Sequence, residues 1–422
     1  MFPILDVMNA TLLTIAEAVT DITFLVVVFV IYMMYRRNNQ FALYKLVNSN
    51  STKAIKNVIE ATLEGIFAGI FGSFIVVLLG LPLALSSILT LLLPIAIFLS
   101  LINTRYMCFS YSAALLGIIV LISNFLVYMG ICTRGINIDP SGLIALVGVL
   151  HLIESVLIFL FGARNSTPIV IKQKGKIAVG FLMQKFWPLP FAILIMLVSL
   201  NTITHSGVQM PQWWPLLKPN IAGEITKFTF ISIIAVLGYG DVAISQTPQK
   251  KTKKISIKLF GYSIFLIVIS ILSTHKIWLK IIGILLMPLL HEIIIVNDQL
   301  NEIREKAIYT LPSSGVRVIN VIEGGPGDCI GIKSGDIIKT INGVKIRNYK
   351  HLKNILSSKE RIYWIQVERI NGDKVTLEHE INIEQACNLD IIHLPENPRV
   401  VYNLDLVKNT SVFKSFLKNK KT

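Results

Sequence analysis

The stretch SGVRVINVIEGGPGDCIGIKSGDIIKTINGVKI, residues 314–346, decides how this chain is read. Val316 and Val318 alternate with polar residues and Val321 follows. A turn comes next at Gly324 to Gly327, then Gly335-Asp336-Ile337-Ile338 leads into Ile341-Asn342-Gly343. Alternation broken by Gly, Pro and Asn is the pattern of short strands joined by tight turns. Upstream of Leu311 the sequence is of another kind, a series of long apolar segments with few charges inside them. The chain is written for hydrocarbon before this point and for water after it.

Of 422 residues, 53% are hydrophobic and 15% charged, with a mean hydropathy of +0.64. That balance excludes an ordinary soluble globule. A helix needs about 20 apolar residues to cross hydrocarbon, where backbone groups find no water and must pair within the segment. Nine segments are candidates: 18–35, 63–82, 86–103, 111–130, 143–162, 186–201, 225–243, 256–273 and 277–296. The sixth is short and holds Trp187-Pro188-Leu189-Pro190, and only Ser273 to Lys276 separate the last two. The expected fold is an α-helical polytopic membrane bundle of about 7–9 spans over residues 1–300, then a small α/β domain at 309–383 and an extension with a basic tail at 384–422.

Short loops on the cytoplasmic side collect Lys and Arg. If the N-terminus is outside, the inner loops hold Arg36, Arg37, Lys45, Lys53 and Lys56, then Arg105, then Arg164, Lys172, Lys174, Lys176 and Lys185, then Lys250, Lys251, Lys253 and Lys254. The outer loops offer Arg134, Lys218 and Lys276. No basic residue precedes Arg36, so a cleaved leader with a positive start is not expected. The formal charge of +15 thus reads as a topology signal and an attraction to anionic lipid, not to nucleic acid, for which no basic face with stacking aromatics is present. Cys108, Cys132, Cys329 and Cys387 are scattered without CxxC spacing, so packing residues are expected, not a disulfide frame or a metal site.

Ionisable residues inside apolar segments are the usual marks of function. His151 and Glu154 share a helix face and read either as a proton relay or half a metal site, or as a packing pair that bonds within the bundle. Asp241 reads as an interfacial residue. Gly65, Gly69 and Gly72 have the spacing that lets another helix approach closely. His291-Glu292 begins an HExxH pattern, but the residue four after His291 is Ile295, so the second histidine of a helical zinc site is missing. No soluble domain ahead of residue 311 can house a Ser-His-Asp triad. The reading is therefore noncatalytic, with no cofactor. The rival readings are a polytopic transporter using His151, Glu154 or Asp241 and a degenerate membrane metalloprotease-like protein.

The module at 309–383 resembles a PDZ domain of the bacterial type, on the strength of the Gly-Asp-Ile-Ile turn followed by Ile-Asn-Gly. The resemblance implies an edge strand that accepts an extended peptide. It places that edge at Leu311, Ser314, Gly315, Val316 and Val318, with a helix at NYKHLKNILSSK contributing Leu352, Ile355 and Leu356 as the other wall, at least two of these three being expected to pack in the core. Gly335 and Asp336 form the turn. In the tail, Lys414, Lys418 and Lys420 flank Phe413, Phe416 and Leu417, the pattern of a basic helix lying on the inner leaflet.

The basic loop after the first span, the hairpin from Gly65 to Asn103, the FWPLP entry at Phe186 to Pro190, LGYGDVAISQTPQKKTKK, and PLLHEIII running into the module together resemble the MinJ family of division-site topology factors. That resemblance implies a scaffold bridging a DivIVA-type coiled coil to a MinD-type membrane ATPase at septa and poles, and no catalytic residue. The loop charges imply that a reporter fused after Thr422 is active only in the cytoplasm and one fused before Met1 only outside. Activity of the Thr422 fusion outside the cell would reverse this orientation.

Overall fold

The computed structural model describes residues 3–38, 51–79, 85–102, 106, 108–136, 138–197, 227–358, 360–380, 388–395 and 402–403. The first helices, α1 (Pro3–Thr20) and α2 (Ile22–Asn38), meet at a 59° bend. Asp21 stands at the break and accepts a hydrogen bond from the Thr23 amide at 2.6 Å. There follow α3 (Ser51–Leu79), α4 (Leu85–Ile102), α5 (Phe109–Tyr128) and α6 (Pro140–Phe161). Asp139 caps α6 by accepting from the Ser141 amide, and Pro140 fills the first position, where no N–H is needed. α6 is buried nearly all round, as an apolar helix without a polar face should be, and it forms the centre of the bundle.

Among the described residues, five helices are long and apolar enough to cross a membrane, or six if the bent pair counts as one span. The expected sixth and seventh spans are not helices. The described parts of those segments, 186–197 and 227–243, fall instead on two long strands, β2 (Lys176–Leu197) and β3 (Lys227–Ala243), and 198–201 and 225–226 lie outside the described residues. They pair antiparallel without a break from Phe181↔Ala243 to Leu197↔Lys227. A short strand, β1 (Thr167–Gln173), pairs with the start of β2.

The physical reason lies in FWPLP. Two prolines inside a helix would each remove a backbone bond and cost about 3 kcal/mol, whereas on the edge of a sheet a missing N–H is harmless. On the edge of β2 facing away from β3, the Phe186 amide donates to Tyr35 Oη at 3.1 Å and the Ala192 amide to Ser73 Oγ at 2.9 Å. Between them on the same side lie Pro188 and Pro190, which have no N–H to satisfy. Their carbonyls reach α3 over Gly65 and Gly69, where any Cβ would overlap the carbonyl oxygens of Pro188 and Pro190. Gly65 and Gly69 thus admit a strand where their spacing suggested a helix, while Gly72 faces Ile153 of α6 and Phe191 of β2.

Helices α7 (Pro248–Ser273) and α8 (Ile277–Arg304) complete the bundle. The module that resembles a PDZ domain then follows, beginning with β4 (Tyr309–Thr310) and β5 (Val316–Val321). Next come α9 (Pro326–Cys329), β6 (Ile337–Ile341), β7 (Val344–Lys345), α10 (Tyr349–Leu356), β8 (Ile362–Glu368) and β9 (Lys374–Glu380). β10 (Ile391–His393) and β11 (Tyr402–Asn403) lie furthest along the chain. Asn342 and Gly343 both have positive φ, at 49° and 78°, the two-residue hairpin turn between β6 and β7. The second sheet runs β10-β5-β6-β8-β9, while β4 and β11 join the first sheet on β2 and β1. The module is therefore joined to the hairpin by shared backbone pairing.

Placing Leu at Gly65 or Gly69 forces the hairpin off α3. Overpacking of this kind costs about 1–3 kcal/mol, and here a backbone carbonyl is the obstacle. Gly261 has open space around its Cβ position. Thermal unfolding of the detergent-purified chain should show a clear fall for G65L and G69L and almost none for G261A. Equal effects at all three positions would refute the docking.

Candidate functional site

The PDZ turn is built as its sequence predicts. Gly335 sits at φ 96°, a conformation other residues avoid. Its amide donates to Val318 O at 2.9 Å, and the Val318 amide donates to Asp336 O at 2.8 Å. The buried Asp336 carboxylate accepts from the Lys333 amide at 2.8 Å and pairs with Arg369 at 2.5 Å. Burial holds this carboxyl above its usual range, against the opposing pull of the Lys333 amide and of Arg369. Gly335 and Asp336 lock β5 to the loop before β6, a structural task.

The expected groove residues are divided between two cores, and at least two of the helix residues pack as expected. Val316, Val318, Leu352 and Leu356 are buried in the core of the module, and Ile355 packs against it. Leu311 packs instead against the core of the bundle, and Ser314 and Gly315 are half-buried. β5 is bonded on both sides, by β6 and by β10, with Ile391 opposite Val321 and His393 opposite Val318. Among the described residues, β10 ends the sheet on this side. It comes from beyond residue 383. The His393 ring lies flat on Tyr349, the first residue of α10, with centroids 3.5 Å apart and planes at 12°. Neither residue was singled out by sequence, because a three-residue strand is defined only by its partner. Lys414, Lys418 and Lys420 lie outside the described residues.

Inside the bundle two polar centres appear. In one, the fully buried Lys251 near the start of α7 reaches Asp241 at 3.0 Å, Asp298 at 3.1 Å and Glu302 at 3.6 Å. Lys258 adds a longer contact to Asp298 at 3.9 Å. Glu302 also accepts from the Ile244 and Ser245 amides, each at 2.8 Å, which ties the end of β3 to α8. Asp241 is therefore part of an ion cluster and not merely an interfacial charge, and Lys251 is not a loop charge exposed to solvent.

The other centre joins His151 of α6, His291 of α8 and Cys108, the residue before α5. Cys108 Sγ lies 3.3 Å from His151 Nε2 and 3.6 Å from His291 Nε2. The three ligand atoms all fall within 4.8 Å of one another, a group able to hold a metal ion. Glu154 stands 3.8 Å from His151, on the shared helix face that their spacing predicts. The second histidine absent from the helix of His291 is thus supplied by another helix. The expectation that all the cysteines pack and that no such set exists is corrected on two counts, since Cys132 and Cys329 are exposed. Cys387 lies outside the described residues. Ligands so far apart in the chain leave no spacing to read.

The PDZ domain family matches residues 295–361. The protein named "Cell division topological determinant MinJ" from Bacillus subtilis (strain 168) is 20% identical over 213 residues, covering 50% of each chain. The chain thus spans about half the length of the curated relative it matches. The findings agree on a multi-pass membrane protein bearing a PDZ domain and distantly similar to MinJ.

Burial, reinforced by nearby Lys353, lowers the His393 pKa to about 4, below the value of about 6.5 in an unfolded chain. The unfolded segment then binds the proton more readily. The contribution of His393 to docking β10 is fully present above about pH 6.5 and is lost as pH falls toward 4. Hydrogen-exchange protection of Ile391–His393, corrected for intrinsic rates, should fall between pH 7 and pH 5 in the full chain, and less so in H393F. Protection independent of pH in the parent chain would contradict this.

Proposed function

We propose that this chain is a noncatalytic membrane scaffold that recruits division-site-selection proteins to the septum and poles. The observation that carries this reading is the similarity to MinJ over half the chain, together with a PDZ module joined to a membrane bundle. A PDZ domain implies protein–protein interaction. The loop charges support an outside N-terminus and a cytoplasmic module, where soluble partners can reach it. The partners in this reading are a MinD-type ATPase and a DivIVA-type coiled coil, with anionic lipid at the basic loops and tail.

For the docking mode, we place an incoming peptide on the outer edge of β10, because both edges of β5 are already bonded. Added strands draw affinity from main-chain hydrogen bonds and selectivity from side-chain pockets. The stacked rings of Tyr349 and His393 close the space between β10 and α10 to such a strand.

A fluorescently tagged full-length chain should gather at septa and young poles. Deleting residues 309–422 should leave the protein in the membrane but disperse at least one soluble partner, and deleting the whole gene should misplace septa, giving filaments or minicells. Uniform membrane fluorescence with normal septum placement in the deletion strain would overturn the division reading.

A further inference from the structure

We propose that Cys108, His151 and His291 form a zinc site in the interior of the membrane bundle, with Glu154 completing its charge. Zn–S bonds of about 2.3 Å and Zn–N bonds of about 2.0 Å put tetrahedral sulfur and nitrogen ligands about 3.5 Å apart. The sulfur-to-nitrogen separations here are 3.3 and 3.6 Å. The sulfur therefore already stands from each nitrogen at the spacing that a single ion imposes, and all three ligand atoms lie within 4.8 Å of one another.

The second nitrogen of each imidazole strengthens the assignment. His151 Nδ1 donates to Val147 O at 2.8 Å, which leaves its Nε2 lone pair directed toward Cys108. His291 Nδ1 lies 3.3 Å from Tyr111 Oη, and that hydroxyl donates its proton to Glu292. Tyr111 then accepts from His291 Nδ1–H, and the Nε2 lone pair of His291 also faces Cys108. Metal-bound histidines are oriented in this way, with the far nitrogen held by a carbonyl or a carboxylate-linked group.

Charge supports the same conclusion. On binding, the Cys108 thiol loses its proton to solvent and its sulfur lone pair takes up the ion. Zinc with one thiolate and two neutral imidazoles carries a net charge of +1. The Glu154 carboxylate, 3.8 Å from His151 Nε2, brings the centre to neutrality. In an apolar interior a neutral centre is far cheaper than separated ions.

A metal-free arrangement competes with it. Ser110 Oγ is 3.3 Å from His151 Nε2 and could donate there while the Cys108 thiol donates to His291. In that case the cluster is a hydrogen-bonded packing motif and nothing more. The donor set distinguishes the two experimentally, because a thiolate bound to a metal has an optical signature and a thiol bonded to imidazole does not.

The test uses the full chain purified in detergent without added metal. Elemental analysis should find about one zinc per chain, and substitution of a ligand should lower zinc affinity by at least about tenfold. C108S, H151Q and H291Q are expected to lose the ion, while C132S, altered at an exposed cysteine, keeps it. Because a misfolded variant also loses zinc, the parent chain is in addition stripped with a chelator and titrated with Co2+. Binding in the site produces a thiolate-to-cobalt charge-transfer band and intense tetrahedral ligand-field bands. Parent protein without zinc, whose stripped and monodisperse form shows no charge-transfer band with Co2+, would overturn the site. So would full zinc retention in C108S. Septal localisation is read independently, so failure here leaves the scaffold reading intact.

Discussion

A peptide group surrounded by apolar side chains has to find its hydrogen bond within the protein, and the β2–β3 hairpin shows how strictly this chain obeys that rule. One edge of β2 is spent on β3. The other meets α3, and every second residue along it has been dealt with: Tyr35 and Ser73 take the amides of Phe186 and Ala192, and prolines remove the two between. Glycines on α3 then let the proline carbonyls come close. The same strand continues past the bundle to carry β1 and β4, so the PDZ module hangs from a sheet whose far end is held inside the apolar core. Were this edge left unsatisfied, the module would lose its seat along with the hairpin.

The charge cluster around Lys251 acts on the same junction. Lys251 belongs to α7, Asp241 to β3, and Asp298 and Glu302 to α8, so a single buried ammonium gathers the two helices and the end of the hairpin. Breaking a buried ion pair by removing one partner costs about 3–5 kcal/mol, since the charge left behind has no solvent. Such a cluster adds little to stability when compared with an apolar core of the same shape. What it does supply is a single arrangement, because displacing any one of the three elements strands a charge.

Much of this was legible in the sequence. The PDZ turn, with Gly335, Asp336 and Asn342-Gly343, was readable because those conformations demand those residue types. The helices α3, α5, α6, α7 and α8 were readable because length and hydropathy suffice. The hairpin was not, because an apolar run of this length satisfies a helical window as well as a strand. The one available signal, proline at alternate positions in FWPLP, registers only as a weak span. Lys251 looked like a topology charge because its burial depends on Asp241, Asp298 and Glu302, which lie on other elements. Cys108, His151 and His291 are separated by 43 and 140 residues, and only the packing of α5, α6 and α8 on one another joins them.

Helix α8 connects these parts. His291 lies on it near the middle of the bundle, Asp298 and Glu302 lie further along it, and β4 begins five residues after its last residue. Any rearrangement at His291 that reached the PDZ module would have to move α8 past the Lys251 cluster. Sliding it would pull carboxylates from their only buried cation, with Gln173 also bonded to the carbonyls of Glu302, Ile303 and Glu305 at the helix end. Coupling between two sites needs an element with two arrangements of similar energy. α8 is built against that, clamped in its last turns by charge and by amide hydrogen bonds. A centre at His291 therefore acts on the module by setting where α8 stands, as a fixed strut, and not by moving it.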